Sequence, residues 1–201
     1  MKTISYAITA CNEHEELDRL LSQLEKNIRE GDEVVVQVDV NVTEEVMDVI
    51  CKHAAFTCIQ FPLNNDFASF KNNLIKHCHS DYIFQIDADE YLSNELMEHI
   101  NFIIDNNDID LYLVPRINTV EGLTQEHINK WRWGVNEYGW VNYPDYQTRI
   151  WKNTEEIKWV NKVHERITGF ASSAPLPYGY DLLHPKTIER QEKQNSFYAT
   201  L

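Results

Sequence analysis

Residues 82–90 read YIFQIDADE. The run from Tyr82 to Ile86 suits a buried strand, and it leads straight into Asp87, Asp89 and Glu90. Two unit charges about 4 Å apart repel by about 4 kcal/mol at an effective dielectric near 20. That is large beside a net folding stability of about 5–15 kcal/mol, so the cluster calls for a counter-charge. On an extended backbone Asp87 and Asp89 point the same way and Glu90 points the other. An oxygen-preferring divalent cation, Mn2+ or Mg2+, is the expected offset, with Asp87 and Asp89 as its ligands. Glu90 is left to a structural role. The plainer alternative is a set of solvated loop acids, one of them capping the next helix.

Strands and helices alternate outward from this stretch. ISYAITA (4–10) reads as a strand. Asn12 and Glu15 are spaced as a capping box for a helix that carries Leu17, Leu20, Leu21, Leu24 and Ile28 and ends at Gly31. EVVVQV (33–38) is an apolar strand, Thr43 caps a helix to about His53, and FTCIQF (56–61) is a strand. Asp66 opens a helix, Ser93 another, and DLYLVP (110–115) is a strand that Pro115 stops. Four strand–helix repeats predict an α/β domain on a mostly parallel central sheet with helices on both faces. In such sheets ligands sit beyond the carboxyl ends of the strands, which is where 87–90 falls.

The second half reads differently. All five tryptophans lie between Trp131 and Trp159. Residues 116–145 show little periodicity and are expected to form a long, partly ordered loop. QTRIWK (147–152) and EIKWV (156–160) suggest a hairpin around Asn153-Thr154, and a helix is expected from Pro185 onward. One domain over 1–201 is the expectation, its texture changing after Pro115.

The 201 residues carry a net charge of −14, which disfavours nucleic-acid partners. The four cysteines form no C-x-x-C pair, so reduced, mostly buried thiols and a cytoplasmic location are expected. No apolar run is long enough to span a membrane, while peripheral membrane contact stays open.

Several blocks carry a resemblance: ITACNEHEELDRLL, NDFASFKNN (65–73), YIFQIDADEYLS, DYQTRIWKN and VNKVHERITG (160–169). In this order they resemble the family 2 glycosyltransferases of the GT-A (Rossmann-like) fold. The subset with D-A-D-E and V-H-E blocks, which includes lipopolysaccharide-core enzymes, is the nearest in pattern. The resemblance implies metal-dependent, inverting transfer of a sugar from a nucleotide-diphosphate donor, a UDP-sugar being expected. It implies 1–115 as the nucleotide-sugar half and 116–201 as the acceptor half, with a glycan, lipid-linked or protein hydroxyl as the expected acceptor. It implies Glu165 as general base with Asp145 as rival, and His184 as a further metal ligand with His164 as alternative. The donor is expected to meet Ala10, Asn12, Glu13, Asp39, Lys71, Asp87 and Arg149. Trp133 and Trp140 are the tryptophans expected to touch the acceptor. Two departures stand out: QVDVNVTEE lacks the family's paired acids and Gly-Ser after the second strand, and Lys71 replaces an arginine. The other readings are a nucleotidyltransferase, disfavoured because TACNEHEE has no glycine, and a degenerate domain of this fold that binds carbohydrate or a partner without catalysis.

Overall fold

The computed structural model describes residues 1–53 and 56–198. β1 (Ile4–Ala10) leads to α1 (His14–Asn27), β2 (Glu33–Val38) to α2 (Glu44–Lys52), and β3 (Thr57–Gln60) to α3 (Phe67–Ile75). Next come β4 (Tyr82–Asp87), the short β5 (Tyr91–Leu92) and α4 (Asn94–Asn106). The second half runs β6 (Leu111–Val114), β7 (Arg116–Glu121), α5 (Gln125–Trp131) and β8 (Gln147–Lys152). It continues through β9 (Lys158–Val160), β10 (Arg166–Thr168), β11 (Ser173–Pro175), β12 (Leu182–Thr187) and α6 (Ile188–Tyr198).

The main sheet has the order β11-β6-β8-β4-β1-β2-β3. Its strands are parallel except β8, which runs antiparallel between β4 and β6. Side chains that alternate along β1 feed two cores. Ile4, Tyr6 and Ile8 pack with the leucines of α1 and with α2 and α4, while Ala7 and Val35 pack with α3, Trp151 and Trp159. One face is therefore covered by helices, and the other by α3 together with the antiparallel β9–β10 ribbon. The leucines of α1 at positions 17, 20, 21 and 24 are all buried, as the helical spacing requires. Asp66 and Ser93 cap α3 and α4 by accepting from the backbone N–H groups of Ser69 and Leu96.

Local reading fails at five places, each for a physical reason. The capping box does not form: Glu13 precedes α1, and its carboxylate accepts from the N–H groups of Cys11 and Asn12. α1 ends at Asn27, and Gly31, with φ +96°, serves the turn into β2. Residues 147–160 form no hairpin. Ile150 and Trp151 are apolar on both faces of β8, and the middle of the sheet buries both, with Trp151 opposite Ile83. Residues 116–145 are not one loop, because β7 pairs in parallel with β12 more than sixty residues later, a partner that no local window contains. Pro185 lies in β12 rather than opening a helix. β5 pairs only with Leu182 and Leu183, so the edge beyond is free and Pro185 needs no N–H there.

All four cysteines are free, but only Cys78 is buried; Cys51 and Cys58 are exposed, against the expectation of mostly buried thiols. They lie at the end of α2 and on the edge strand β3, which the sheet leaves uncovered. Among the described residues no helix is long and apolar enough to cross a membrane.

Gly169 closes the β9–β10 ribbon with φ +91°, and a Cβ there would stand 1.9 Å from the carbonyl oxygen of Glu156. Gly169→Ala should therefore lower stability by at least about 2 kcal/mol. A denaturant midpoint equal to the parent's would show that the ribbon does not depend on this contact.

Candidate active site

A cleft of about 660 Å3 opens where β1, β2 and β4 end, within the size range of ligand sites. Its floor is the acid cluster, and the like-charge cost is met first by arginine. β4 stops at Asp87, and the N–H of Glu90 closes a turn on the Asp87 carbonyl at 2.9 Å. The backbone is thus not extended through 87–90, and the same-face expectation for Asp87 and Asp89 does not apply. Asp87 and Glu90 instead share one nitrogen of Arg149, whose Nη2 donates to Asp87 Oδ2 at 2.6 Å and to Glu90 Oε1 at 2.7 Å. Glu90 is fully buried, and it also accepts from Arg116 Nη1 at 2.8 Å.

Burial alone would push the Asp87 carboxyl up, but the Arg149 and Lys71 charges hold it well below the usual carboxylate range. For Arg149 burial works against the charged form, and Asp87 and Glu90 together keep it charged.

Asp89 looks the other way. Its Oδ2 lies 3.2 Å from His184 Nε2, 3.7 Å from Lys186 Nζ and 3.6 Å from Arg190 Nη2. Burial raises its pKa, and the His184 hydrogen bond with the His184 and Lys186 charges brings it down to about 2. A polar chain fixes the histidine. Asp145 Oδ2 accepts from Asn118 Nδ2 at 2.9 Å, so the amide oxygen of Asn118 faces His184 Nδ1, at 2.7 Å. Nδ1 therefore carries a proton, and Nε2 is the ring atom aimed at Asp89.

A histidine whose second nitrogen is pinned in this way suits a metal. The 3.2 Å separation from Asp89 is also that of neighbouring ligands each about 2.1 Å from one ion. Asp87 Oδ1 accepts only from Thr9 Oγ1, at 3.3 Å, among the described residues. The residues present thus fit a divalent cation, although among the described residues no three His, Cys, Asp or Glu side chains already converge as a cluster.

The cleft is lined by Ala10, Glu13, Asp39, Lys71, Asp87, Asp89, Arg149, Glu165, His184 and Trp133, all expected there. Asp39 ties loops together, accepting from the backbone and side chain of Asn41 at 2.8 Å and from the Leu63 N–H at 2.7 Å. Lys71 does not extend freely into the cleft. Its ammonium pairs with Glu165 and lies 4.3 Å from the centroid of the Trp159 ring. Trp159 is itself locked by Gln85 and by both ends of the Asn72 amide.

Asn12, His164, Asp145 and Trp140 lie outside the lining. Asp145 accepts from Arg116, Asn118 and Gln147, which leaves it little capacity for a substrate proton. His164 adopts φ +55°, so the extended-strand reasoning that set it against Glu165 does not describe this turn.

Sequence reading missed Arg116, Asn118, Lys186 and Arg190. No clean alternation in RINTVE signalled the first two, since Arg116, Asn118, Thr119 and Val120 all line the cleft. The register that sets Asn118 beside His184 could not be read locally.

Comparison with known proteins points one way. A family model described as Glycosyl transferase family 2 matches residues 5–172. An uncharacterized glycosyltransferase of Rickettsia prowazekii (strain Madrid E), RP128, is 32% identical over 117 residues, 58% of this chain and 38% of that protein. The SPbeta prophage-derived glycosyltransferase SunS of Bacillus subtilis (strain 168) is 23% identical over 180 residues, 88% of this chain and 37% of that protein. The chain thus spans less than two fifths of the length of these curated relatives. Residues 1–349 of S. aureus TarS have the same fold, with a TM-score of 0.66 at 15% identity over 92% of this chain and 60% of that one.

Glu90→Gln should destabilise the protein by about 3–5 kcal/mol, because the buried Arg149 and the half-buried Arg116 lose their shared counter-charge. Asp89→Asn, mostly buried but facing cations that border the open cleft, should cost less, about 1–2 kcal/mol. Equal denaturation midpoints for the two variants would contradict this division of labour.

Proposed function

Because the chain belongs to glycosyl transferase family 2, whose model matches residues 5–172, we propose that its cleft moves a sugar from a nucleotide-diphosphate donor to an acceptor hydroxyl. The observation that carries this reading is the meeting of Asp87, Asp89, His184 and Glu165 in one cleft at the carboxyl ends of the strands. A UDP-sugar is the donor we favour, in keeping with the TarS structures described as complexes with UDP and UDP-GlcNAc.

The base and ribose lie against Ala10, Cys11, Glu13 and Asp39. A carboxylate has about four lone-pair sites; Asp39 uses three on Asn41 and Leu63 and keeps one for the nucleoside. Asp89 and His184, with the outer oxygen of Asp87, would hold Mn2+ or Mg2+. Once bound, the cation offsets the negative charge that the diphosphate gains as it leaves. Lys186 and Arg190, both near Asp89, add positive charge on the same side.

Glu165 accepts the proton of the acceptor hydroxyl. The hydroxyl oxygen bonds to the anomeric carbon as the bond from that carbon to the diphosphate breaks, and this single displacement inverts the configuration. Lys71 links the two events. Its ammonium touches Glu165 and its charge acts on Asp87, so it can pass from the base to the diphosphate when the donor enters. Glu165 is favoured over Asp145 because it lines the cleft and Asp145 does not.

With a panel of nucleotide sugars, donor hydrolysis is expected to require Mn2+ or Mg2+. Asp89→Asn and His184→Ala should each remove metal-dependent donor binding while keeping the fold. Glu165→Gln should cut turnover by about 10²- to 10⁴-fold with donor binding intact. The enzyme reading fails if no donor turns over and none binds in a metal-dependent way. Full activity in Glu165→Gln would remove Glu165 from the base role.

A further inference from the structure

Beside the cleft runs a strip of aromatic rings in continuous contact. Ring centroids are 5.1 Å apart for Tyr138–Trp140, 4.8 Å for Trp140–Tyr143, 5.6 Å for Tyr143–Tyr178 and 6.4 Å for Tyr178–Tyr146. Tyr138 is 67% exposed and Tyr178 65%. The strip is held rigid from beneath. Asn136 Oδ1 accepts from the N–H groups of Tyr138 and Trp140, and the hydroxyls of Tyr143 and Tyr146 donate to Asp181 and to the Leu176 carbonyl. Rings pre-positioned in water without a folding partner mark a binding surface.

Three observations narrow the occupant. First, the strip is continuous with the cleft. Val141 and Asn142, inside the strip's own chain segment, line the cleft. Tyr138 and Gly139 line a second cavity of about 460 Å3 that shares Thr119, Val120 and Lys186 with it. Second, residues 134–146 contain no lysine or arginine, and of their two acids Asp145 is already paired with Arg116. Such a segment is close to neutral and brings none of the cations that dock aromatic surfaces on anionic membranes. Third, its rings are tyrosine and tryptophan, with polar edges and flat faces, and aliphatic side chains are few. Flat faces stack on the C–H faces of sugar rings, and the hydroxyls and Asp181 meet sugar hydroxyls.

We infer that this strip is a track for a neutral saccharide chain, so that the acceptor is an oligosaccharide whose units beyond the reacting one stack on Tyr138, Trp140, Tyr143 and Tyr178. Its naming as acceptor rests on the transferase reading above; the saccharide-binding surface does not.

The test is an array of neutral and acidic oligosaccharides of increasing length, probed without donor or metal. Wild-type protein should retain neutral chains and bind longer ones more tightly. Tyr138→Ala and Tyr178→Ala, both at exposed positions, should weaken retention about tenfold each and leave nucleotide binding unchanged. Four results would overturn the track: no neutral chain retained, preference for acidic chains, retention unaffected by both substitutions, or loss of self-association as the sole effect of the substitutions. Donor turnover is scored separately. Turnover without neutral-chain binding removes the track and leaves the transferase reading. Tyrosine-dependent binding without turnover does the reverse.

Discussion

One guanidinium organises this protein's cleft. Arg149 is 3% exposed and places a single nitrogen between Asp87 and Glu90. Two carboxylates cannot be buried side by side in low dielectric without a positive charge at hand. Meeting that demand draws in the rest of the second half. Arg149 reaches the acids only because β8 runs antiparallel beside β4. Glu90 retains acceptor capacity after binding Arg149, and Arg116 from the start of β7 fills it. Asp145 then neutralises Arg116, and Asn118 links Asp145 to His184 and so to Asp89.

The two aspartates of one short motif are therefore joined by a closed circuit of side chains drawn from β4, β7, β8 and β12 and the turns beside them. Such a circuit fixes rotamers before any ligand arrives, and it gives the two acids different work. Asp87 is bound through one oxygen to Arg149 and held ionised by it. Asp89, the less exposed of the two, has His184, Lys186 and Arg190 beside it. Opposite them, Glu165 and Lys71 stand on a second platform, built on Trp159 and Asn72. The β9–β10 ribbon that carries this platform belongs to the other core, so the cleft joins two separately packed faces of the sheet.

Much of the first half was legible before any coordinate. The helices after Asp66 and Ser93 start where capping chemistry puts them, because a cap is a bond over three residues; the helix after Thr43 starts where expected, but the Thr43 hydroxyl makes no capping bond. The leucines of α1 and the apolar runs of β1, β2 and β4 report one-sided and two-sided burial directly. The second half was not legible in this way. RINTVE and QTRIWK are strands whose partners lie far off in the chain, and Pro185 breaks the ordinary strand pattern at an unpaired edge.

The sequence by itself determined that a carboxylate cluster would stand at the end of a buried strand in an α/β sheet and that it would need positive charge; Glu165 and His184 came as candidates only through the family resemblance. Periodicity, capping and charge repulsion act over a few residues, so a linear reading reaches them. Only the tertiary structure decided what supplies the charge inside the fold, and it is Arg149 and Arg116. It also gave Asp87 to Arg149 and Asp89 to His184, and it took Asp145 from the cleft into the circuit. These outcomes depend on strand order and on a turn at 87–90, and both are settled by contacts between segments that the chain keeps tens of residues apart.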